Sequence, residues 1–419
     1  MPFATLGLSP SLLRSIAARS YRTPTAIQLA AIPAALQGKD VLGSARTGSG
    51  KTAAFALPLL QQLEKGPRTS PPHARALVLV PTRELSSQVG ESIRGLAQFL
   101  PQALKITVVF GGVSINPQLM GLRGGTDIVV ATPGRLLDLI DHNALSLVNV
   151  NTLVLDEADR LLDMGFSDEL TRILSMLPKQ RQNLFFSATF PPAVQALAQQ
   201  LLRNPVRIDV LPEPQAASDI AQQAITVDAG RRTQLLRHLI GTRGWKRVLV
   251  FVATKHAAEM VADKLRKVRI NAEPFHGELN QGKRTQVLAD FKASRLKVVV
   301  ATDVAARGLD IAMLPVVVNY DLPRSAVDYT HRIGRTGRAG EQGVAISFVS
   351  ADTHAHFRLI AKRHQLDLAL ETVAGFEPQE TTPGPAPVTT QSAHDPSTGG
   401  VKGKRPSKKD KLREAAIGS

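Results

Sequence analysis

Two short segments carry residue types that can work on a phosphoanhydride. The first is ARTGSGKT at 45–52. Its GSGK run lets backbone N–H groups approach phosphates without Cβ obstruction, at the positive end of the helix that TAAFALPLLQQL (52–63) would form. Lys51 would neutralise the β and γ phosphates of a nucleotide and the Thr52 hydroxyl would ligate magnesium, with Ala45, Arg46, Thr47, Gly48, Ser49 and Gly50 completing the cradle. The strict pattern asks for glycine where this chain has Ala45. Taken alone, the loop therefore also fits an incidental glycine-rich turn. The second segment, TLVLDEAD, sets Asp156 and Glu157 just past the carboxyl end of a buried-strand run, the edge at which open α/β sheets bind ligands. Asp156 there can hold magnesium, partly through water, and Glu157 can orient and deprotonate the attacking water. A single carboxylate at a strand end is commonly a solvated terminus. Joined to a phosphate loop, the pair describes a magnesium-nucleotide hydrolysis site.

The elements that must position these residues are legible as alternating short β-rich runs and longer amphipathic ones. LVLV (77–80), ITVVF (106–110), DIVVA (127–131), TLVL (152–155) and LFFS (184–187) are continuous apolar runs of the kind that buried parallel strands make. Before them, Ser9 and Pro10 open a helical stretch over 9–19, and a second runs over 25–37 and ends at Gly38. PVRIDVLPEPQAASD (205–219) has three prolines and no helical period, so it is the linker candidate, with 209–219 dividing a domain of 1–208 from one of 220–370. The pattern then restarts with VLVFV (248–252), VVVA (298–301), VVVN (316–319) and VAISFV (344–349). The expected fold class is α/β: two tandem domains, each a mainly parallel sheet with helices on both faces. From about 371 the composition turns rich in Pro, Thr, Gly, Gln and Ser and ends in KGKRPSKKDK (402–411), so 371–419 reads as a disordered tail with a basic end.

Composition narrows the partners. With 51 Lys+Arg against 35 Asp+Glu the formal charge is +16, which points to a polyanion, nucleic acid first. The surplus lies on the folded body, because the basic and acidic residues after 370 nearly cancel. There is no cysteine, which excludes disulfides, zinc ribbons and thiol catalysis and fits a reducing compartment. No apolar run approaches the roughly 18 to 20 residues of a spanning helix, and MPFATLGLSP lacks the basic start and apolar stretch of a secretory signal. A soluble cytoplasmic protein with no membrane partner is the expectation. Aromatics are 4% of the chain, so grip on the sugar-phosphate backbone is expected rather than extensive base stacking.

At this level of detail the chain resembles DEAD-box RNA helicases of superfamily 2, most closely the bacterial RhlE type. The resemblance spans roughly 1–378 and is carried by an ordered motif series. YRTPTAIQ (21–28) resembles the Q motif, with Phe3 at the usual upstream distance; Ser20 and Ala26 stand where the family has Gly and Pro. ARTGSGKT, PTREL (81–85), FGG (110–112), TPGR (132–135), DEAD (156–159) and SAT (187–189) follow, then VFVATK (250–255), ATDVAARGLD (301–310) and HRIGRTGR (331–338). The resemblance implies two RecA-like domains, ATP and Mg2+ as cofactors, and RNA as partner. It implies that the Gln28 amide reads the adenine edge and that Phe3 stacks on that base, the plain alternative for Phe3 being a core anchor for the first helix. Arg335 and Arg338 resemble the arginines that reach the γ-phosphate across the interdomain cleft, and Asp310 the residue that contacts the ribose.

For RNA, the resemblance implies a first-domain track of Thr82, Arg83, Gly111, Gly112, Thr132 and Arg135, with Thr254, Arg284 and Thr302 in the second domain. Such contacts ignore sequence, and several of these residues taken singly would be caps or turns. Ser187 and Thr189 are implied to couple hydrolysis to unwinding, Asp303 to act as interdomain glue, and His331 to link the second domain to the DEAD and SAT segments. The implied activity is RNA-stimulated ATP hydrolysis coupled to local unwinding or remodelling of RNA duplexes and RNA-protein complexes. The rival is an ATP-gated RNA clamp or ribonucleoprotein assembly platform with incidental turnover. Ribosomal precursors and the RNA-decay machinery are both compatible partners.

Overall fold

The structure is a computed structural model that describes residues 2–45, 48–66, 70–210, 220–306, 314–337, 342–364 and 366–380. Among these residues, fourteen strands form two seven-stranded sheets in which every pairing is parallel. The first contains β1 (Val41–Ser44), β2 (Ala76–Leu79), β3 (Ile106–Val109), β4 (Ile128–Ala131), β5 (Thr152–Leu155), β6 (Gln182–Ser187) and β7 (Val206–Asp209). The second contains β8 (Ile220–Thr226), β9 (Val248–Val252), β10 (Ala272–Phe275), β11 (Val298–Thr302), β12 (Val316–Asn319), β13 (Gly343–Val349) and β14 (Leu370–Glu371). The spatial order β3-β4-β2-β5-β6-β1-β7 recurs in the second sheet as β10-β11-β9-β12-β13-β8-β14, so the two halves are one topology used twice. They are tandem RecA-like lobes.

Each strand of the sheet centre is buried on both faces because consecutive side chains point to opposite sides. Val78 enters the core cluster with Phe55, Ile27 and Phe186, whereas Leu77 and Leu79 enter the one with Leu136, Leu153 and Phe185. In the second lobe Val248, Val250 and Val252 face Leu235, Val261 and Phe348, and Leu249 and Phe251 face Phe275, Val287 and Phe291. Helices therefore have to cover both faces: Arg83–Leu96 and Pro133–Asp141 pack on opposite faces of the first sheet, and Lys255–Lys267 and Gln281–Lys292 on opposite faces of the second. Among the described residues no helix is long and apolar enough to cross a membrane.

Two boundaries differ from the sequence expectation. The proline-rich 205–219 stretch contributes a strand, because Val206–Asp209 pairs with Val41–Ser44 at the sheet edge. Edge strands tolerate the flanking prolines that obscured it. The rest of the linker candidate, 211–219, lies outside the described residues. The tail expected from 371 begins later. β14 pairs with β8, Phe376 packs against His238 and under the Arg231 guanidinium, and the Asp228 carboxylate accepts from the backbone N–H groups of Gln379 and Glu380. Residues 370–380 thus belong to the second lobe; the basic end lies outside the described residues. The strands VLGS and AEPF, short and polar at one end, were absent from the apolar runs.

Candidate active site

The phosphate-loop segment leaves β1 and re-enters helix at Lys51–Lys65, whose N-cap Gly50 has φ +92°. Gly48 is also left-handed, at φ +83°. A Cβ on Gly50 would lie 2.4 Å from Gln28 Nε2, so this position needs glycine for both its dihedral and its space. Lys51 is buried, donates from Nζ to the Ala45 carbonyl at 3.0 Å, and lies 4.0 Å from Asp156 Oδ1. Ala45 itself is buried in the core and donates its N–H to Ser187 O at 3.2 Å, so the methyl that departs from glycine is taken up by packing. Ser49 Oγ is buried with no hydrogen-bond partner, an orphan that a phosphate oxygen would satisfy. Thr52 stands in the first turn of the helix. Arg46 and Thr47 lie outside the described residues.

Asp156 follows β5 directly, its N–H donating to Leu79 O at 3.0 Å, and Oδ1 accepts from Glu157 N at 3.0 Å. Burial pushes its carboxyl up to about 6; Lys51 works against that rise and Glu157 adds to it. A buried carboxylate short of counter-charge fits a cation. The donor set also fits magnesium, which takes one or two carboxylates with phosphate and water oxygens and needs no larger acidic cluster; none occurs among the described residues. Glu157 is held at φ 53°, ψ 51° as N-cap of helix Ala158–Asp163. A non-glycine residue there costs about 1 to 2 kcal/mol. Behind it, Asp159 Oδ2 accepts from Thr189 N at 3.0 Å and Thr189 Oγ1 at 2.7 Å, and Ser187 Oγ accepts from Asp159 N at 3.2 Å. The DEAD and SAT segments are thereby one hydrogen-bonded unit.

Gln28 is the N3 residue of a capping box on helix Ala26–Leu36. Its Oε1 accepts from Thr25 N at 3.0 Å and its Nε2 donates to Gly50 O at 3.0 Å. An amide has two N–H donors and two carbonyl lone pairs, so one of each remains. Phe3 stands here as the core anchor that was its plain alternative: a single 3-10 turn, Phe3–Leu6, opens the chain, and Phe3 is 5% exposed in the core cluster with Leu12 and Ile32.

The expected RNA residues of the first lobe gather on one edge. Thr82, Gly111 and Thr132 follow the carboxyl ends of the adjacent strands β2, β3 and β4. Thr82 Oγ1 caps its helix by accepting from Leu85 N at 3.2 Å, and Thr132 occupies the N-cap of Pro133–Asp141. Arg83 donates to Gly112 O at 3.4 Å, and Gly111 has open space around it. Arg135 is buried and donates to Val113 O at 2.7 Å, yet its Nε and Nη1 lack hydrogen bonds; Nε lies 3.4 Å from Asp138 Oδ2 without bonding geometry. Thr254 caps helix Lys255–Lys267 through Ala257 N at 3.1 Å, and Thr302 ends β11 beside β9.

Arg284 is not on that edge surface. It is buried under an ion pair with Glu84 of the first lobe, at 2.6 and 2.8 Å, stacks its guanidinium 4.5 Å over Phe275, and donates to His276 O at 3.0 Å. Each of its three nitrogens meets a protein oxygen, so in this arrangement it joins the lobes and is not presented to RNA. Asp303 is likewise corrected: it pairs with Arg332 through two bonds of 2.6 Å, both partners in the second lobe. His331 contacts Arg160, the residue after the DEAD tetrad, and Asp328 lies 3.6 Å from the same arginine. Arg335 is buried and lines a small cavity with Arg160, Asp303 and His331. Arg338 and Asp310 lie outside the described residues. Glu84, Asp159, Arg160, Asp328 and Arg332 carried no assigned role in the sequence reading. All but Asp328 sit inside or beside quoted motifs, but their partners are remote in the chain.

Comparison with known proteins follows the same division. The family model for DEAD/DEAH box helicases matches residues 25–197, and that for the helicase conserved C-terminal domain matches 231–340. The chain is 43% identical over 348 residues to a Mycobacterium tuberculosis protein named ATP-dependent RNA helicase DeaD, covering 83% of this chain and 61% of that protein's length. It is similar to the structure of S. cerevisiae Dbp5 bound to RNA and ADP BeF3, with TM-score 0.77 and 32% identity over 89% of this chain and 95% of the other. A DEAD box protein from Methanococcus jannaschii matches at 36% identity, TM-score 0.51, over 89% and 99% of the two chains.

Proposed function

The chain belongs to the DEAD-box family of ATP-dependent RNA helicases, and from that premise we propose that it couples RNA-stimulated ATP hydrolysis to local unwinding or remodelling of RNA. The observation that carries this reading is the buried Lys51–Asp156 pair set against an unsatisfied Ser49 hydroxyl. Three groups of complementary polarity around an N-terminal helix end are arranged for a phosphate chain. ATP is the nucleotide because the remaining N–H and lone pair of the Gln28 amide complement the N7 acceptor and N6 donor of adenine.

Magnesium, when bound by Asp156 and Thr52, would draw the phosphate oxygens into register and neutralise their charge. Glu157, next to Asp156, orients a water and takes its proton. Lys51 leaves the Ala45 carbonyl for the phosphates, and Arg335 supplies positive charge from the second lobe as the γ-phosphoryl group departs. RNA lies along the carboxyl edges that carry Thr82, Gly111, Thr132, Arg135, Thr254 and Thr302, where Arg135 Nη1, buried without a hydrogen bond, has a donor left for a phosphate. ATP and RNA both touch the two lobes, so each favours the closed arrangement. The motif series keeps the RhlE type as the proposed subgroup, acting on structured RNA of the ribosomal-precursor or RNA-decay kind in the cytoplasm. Single-turnover hydrolysis tests the reading: Glu157→Gln should bind ATP and RNA yet lose turnover, and undiminished hydrolysis in that variant sinks the assignment.

A further inference from the structure

Arg160 is a buried cation outside the roles assigned so far. It stands in helix Ala158–Asp163, one residue after Asp159 and three after Glu157. Its backbone is therefore fixed to the hydrolysing turn, because Asp159 is held by Ser187 and Thr189. Its guanidinium leaves the first lobe altogether. Nη1 lies 3.6 Å from Asp328 Oδ1 and Nη2 contacts His331 Nδ1.

Asp328 and His331 are three residues apart on helix Ala326–Ile333 and so share one face. Asp328 is itself held: its N–H donates to Ser325 Oγ at 3.1 Å and its Oδ2 accepts from the same hydroxyl at 2.8 Å. One turn on from Asp328, Arg332 is anchored within the second lobe to Asp303, to the side-chain carbonyl of Asn319 and to the backbone carbonyl of Asp321. The helix ends at Gly334, and Arg335 follows immediately. Arg160, Asp328, His331 and Arg335 line one cavity of about 20 Å³, room for about a single water. An arginine has donors only, so His331 Nδ1 accepts and the pair presents no second proton there.

We infer that Arg160 is a positioning residue: by gripping Asp328 and His331 it registers the helix that delivers Arg335 against the turn that carries Asp156 and Glu157. Arg160 transmits position in both directions. A closed arrangement missing this grip would leave Arg335 free to shift relative to Glu157, and a displacement of about 1 Å costs on the order of a hundredfold in rate. This rests on the ATP-hydrolysis reading above.

The test is a double-mutant cycle in the full chain with Arg160→Ala, Arg160→Lys, Asp328→Asn and the double variant Arg160→Ala/Asp328→Asn. RNA-stimulated kcat, nucleotide affinity without RNA, and the closed fraction by interlobe energy transfer are measured for each. Arg160→Ala should lower kcat and the closed-to-open ratio about 30-fold, the lower end for truncating a buried charged partner, with RNA-free nucleotide affinity unchanged. Asp328→Asn should fall less, Arg160→Lys should recover part of the loss, and the double variant should be no worse than Arg160→Ala. Losses that multiply in the double variant, an unchanged closed fraction, or a parallel fall in RNA-free nucleotide affinity overturn the inference. Absence of RNA-stimulated turnover in the wild-type chain overturns the underlying function, whereas active wild type with an unaffected Arg160→Ala overturns this inference alone.

Discussion

Glu84 and Arg284 meet from opposite lobes with both side chains under a tenth exposed, and their separation should be the largest single electrostatic lever on closure. In Arg284→Met the aliphatic stem stays over Phe275 while the charge is removed. Glu84 is then buried in the joined arrangement without its counter-ion. Breaking a buried pair from one side costs about 3 to 5 kcal/mol. When the lobes part, Glu84 returns to water, so that cost falls on the closed form alone and the closed-to-open ratio should drop by roughly two to four powers of ten. Glu84→Gln keeps an acceptor and should cost less. The double variant Glu84→Gln/Arg284→Met removes both desolvation penalties and should recover most of the ratio. Interlobe energy transfer in the presence of RNA and a non-hydrolysable ATP analogue reads this directly. A closed fraction unaffected by Arg284→Met, or a double variant whose loss equals the sum of the singles, refutes the reasoning and returns Arg284 to the RNA track.

Asp156→Asn should abolish hydrolysis while raising stability. The carboxyl sits at about 6 in the folded protein against 3.8 ordinarily; the charged form is therefore the disfavoured one, and its penalty is present in full above pH 6 and gone below 3.8. Denaturant melts should show a gain of up to about 3 kcal/mol at pH 7.5 that shrinks toward nothing near pH 4. Phe3→Ala should lose about 3 to 5 kcal/mol of stability by cavity formation with the ATP-to-GTP preference unchanged; a changed preference with normal stability would restore the stacking role. Gly50→Ala should raise the KM for ATP at least tenfold, since the new methyl strikes the Gln28 amide and the residue must keep φ +92°. Removing everything after Glu380 should leave the lobes' stability unchanged and reduce the salt slope of RNA binding, whereas a cut after Gly375 also removes the Phe376 contact and the Asp228 bonds and should destabilise the second lobe.

The hydrolytic residues were legible in the chain because their chemistry depends on local spacing. A glycine-bracketed lysine before a helix, and two carboxylates after an apolar strand, are short-range patterns, and parallel strands buried on both faces announce themselves as apolar runs. The edge strands β7 and β14 were not legible, since VRID and LE carry the polarity of loops and become strands only by pairing with β1 and β8, whereas the apolar edge strand β3 was. The same limit applies to charge. In the sequence Arg284 stood as a candidate RNA contact, Asp303 as interdomain glue, and Arg160 had no role. Burial and a partner far along the chain decided that Arg284 meets Glu84, Asp303 meets Arg332, and Arg160 reaches Asp328. Local sequence determines which groups can hold a phosphate; the cost of burying a charge without a counter-ion, which exists only once two lobes are packed, decides which groups hold the lobes together.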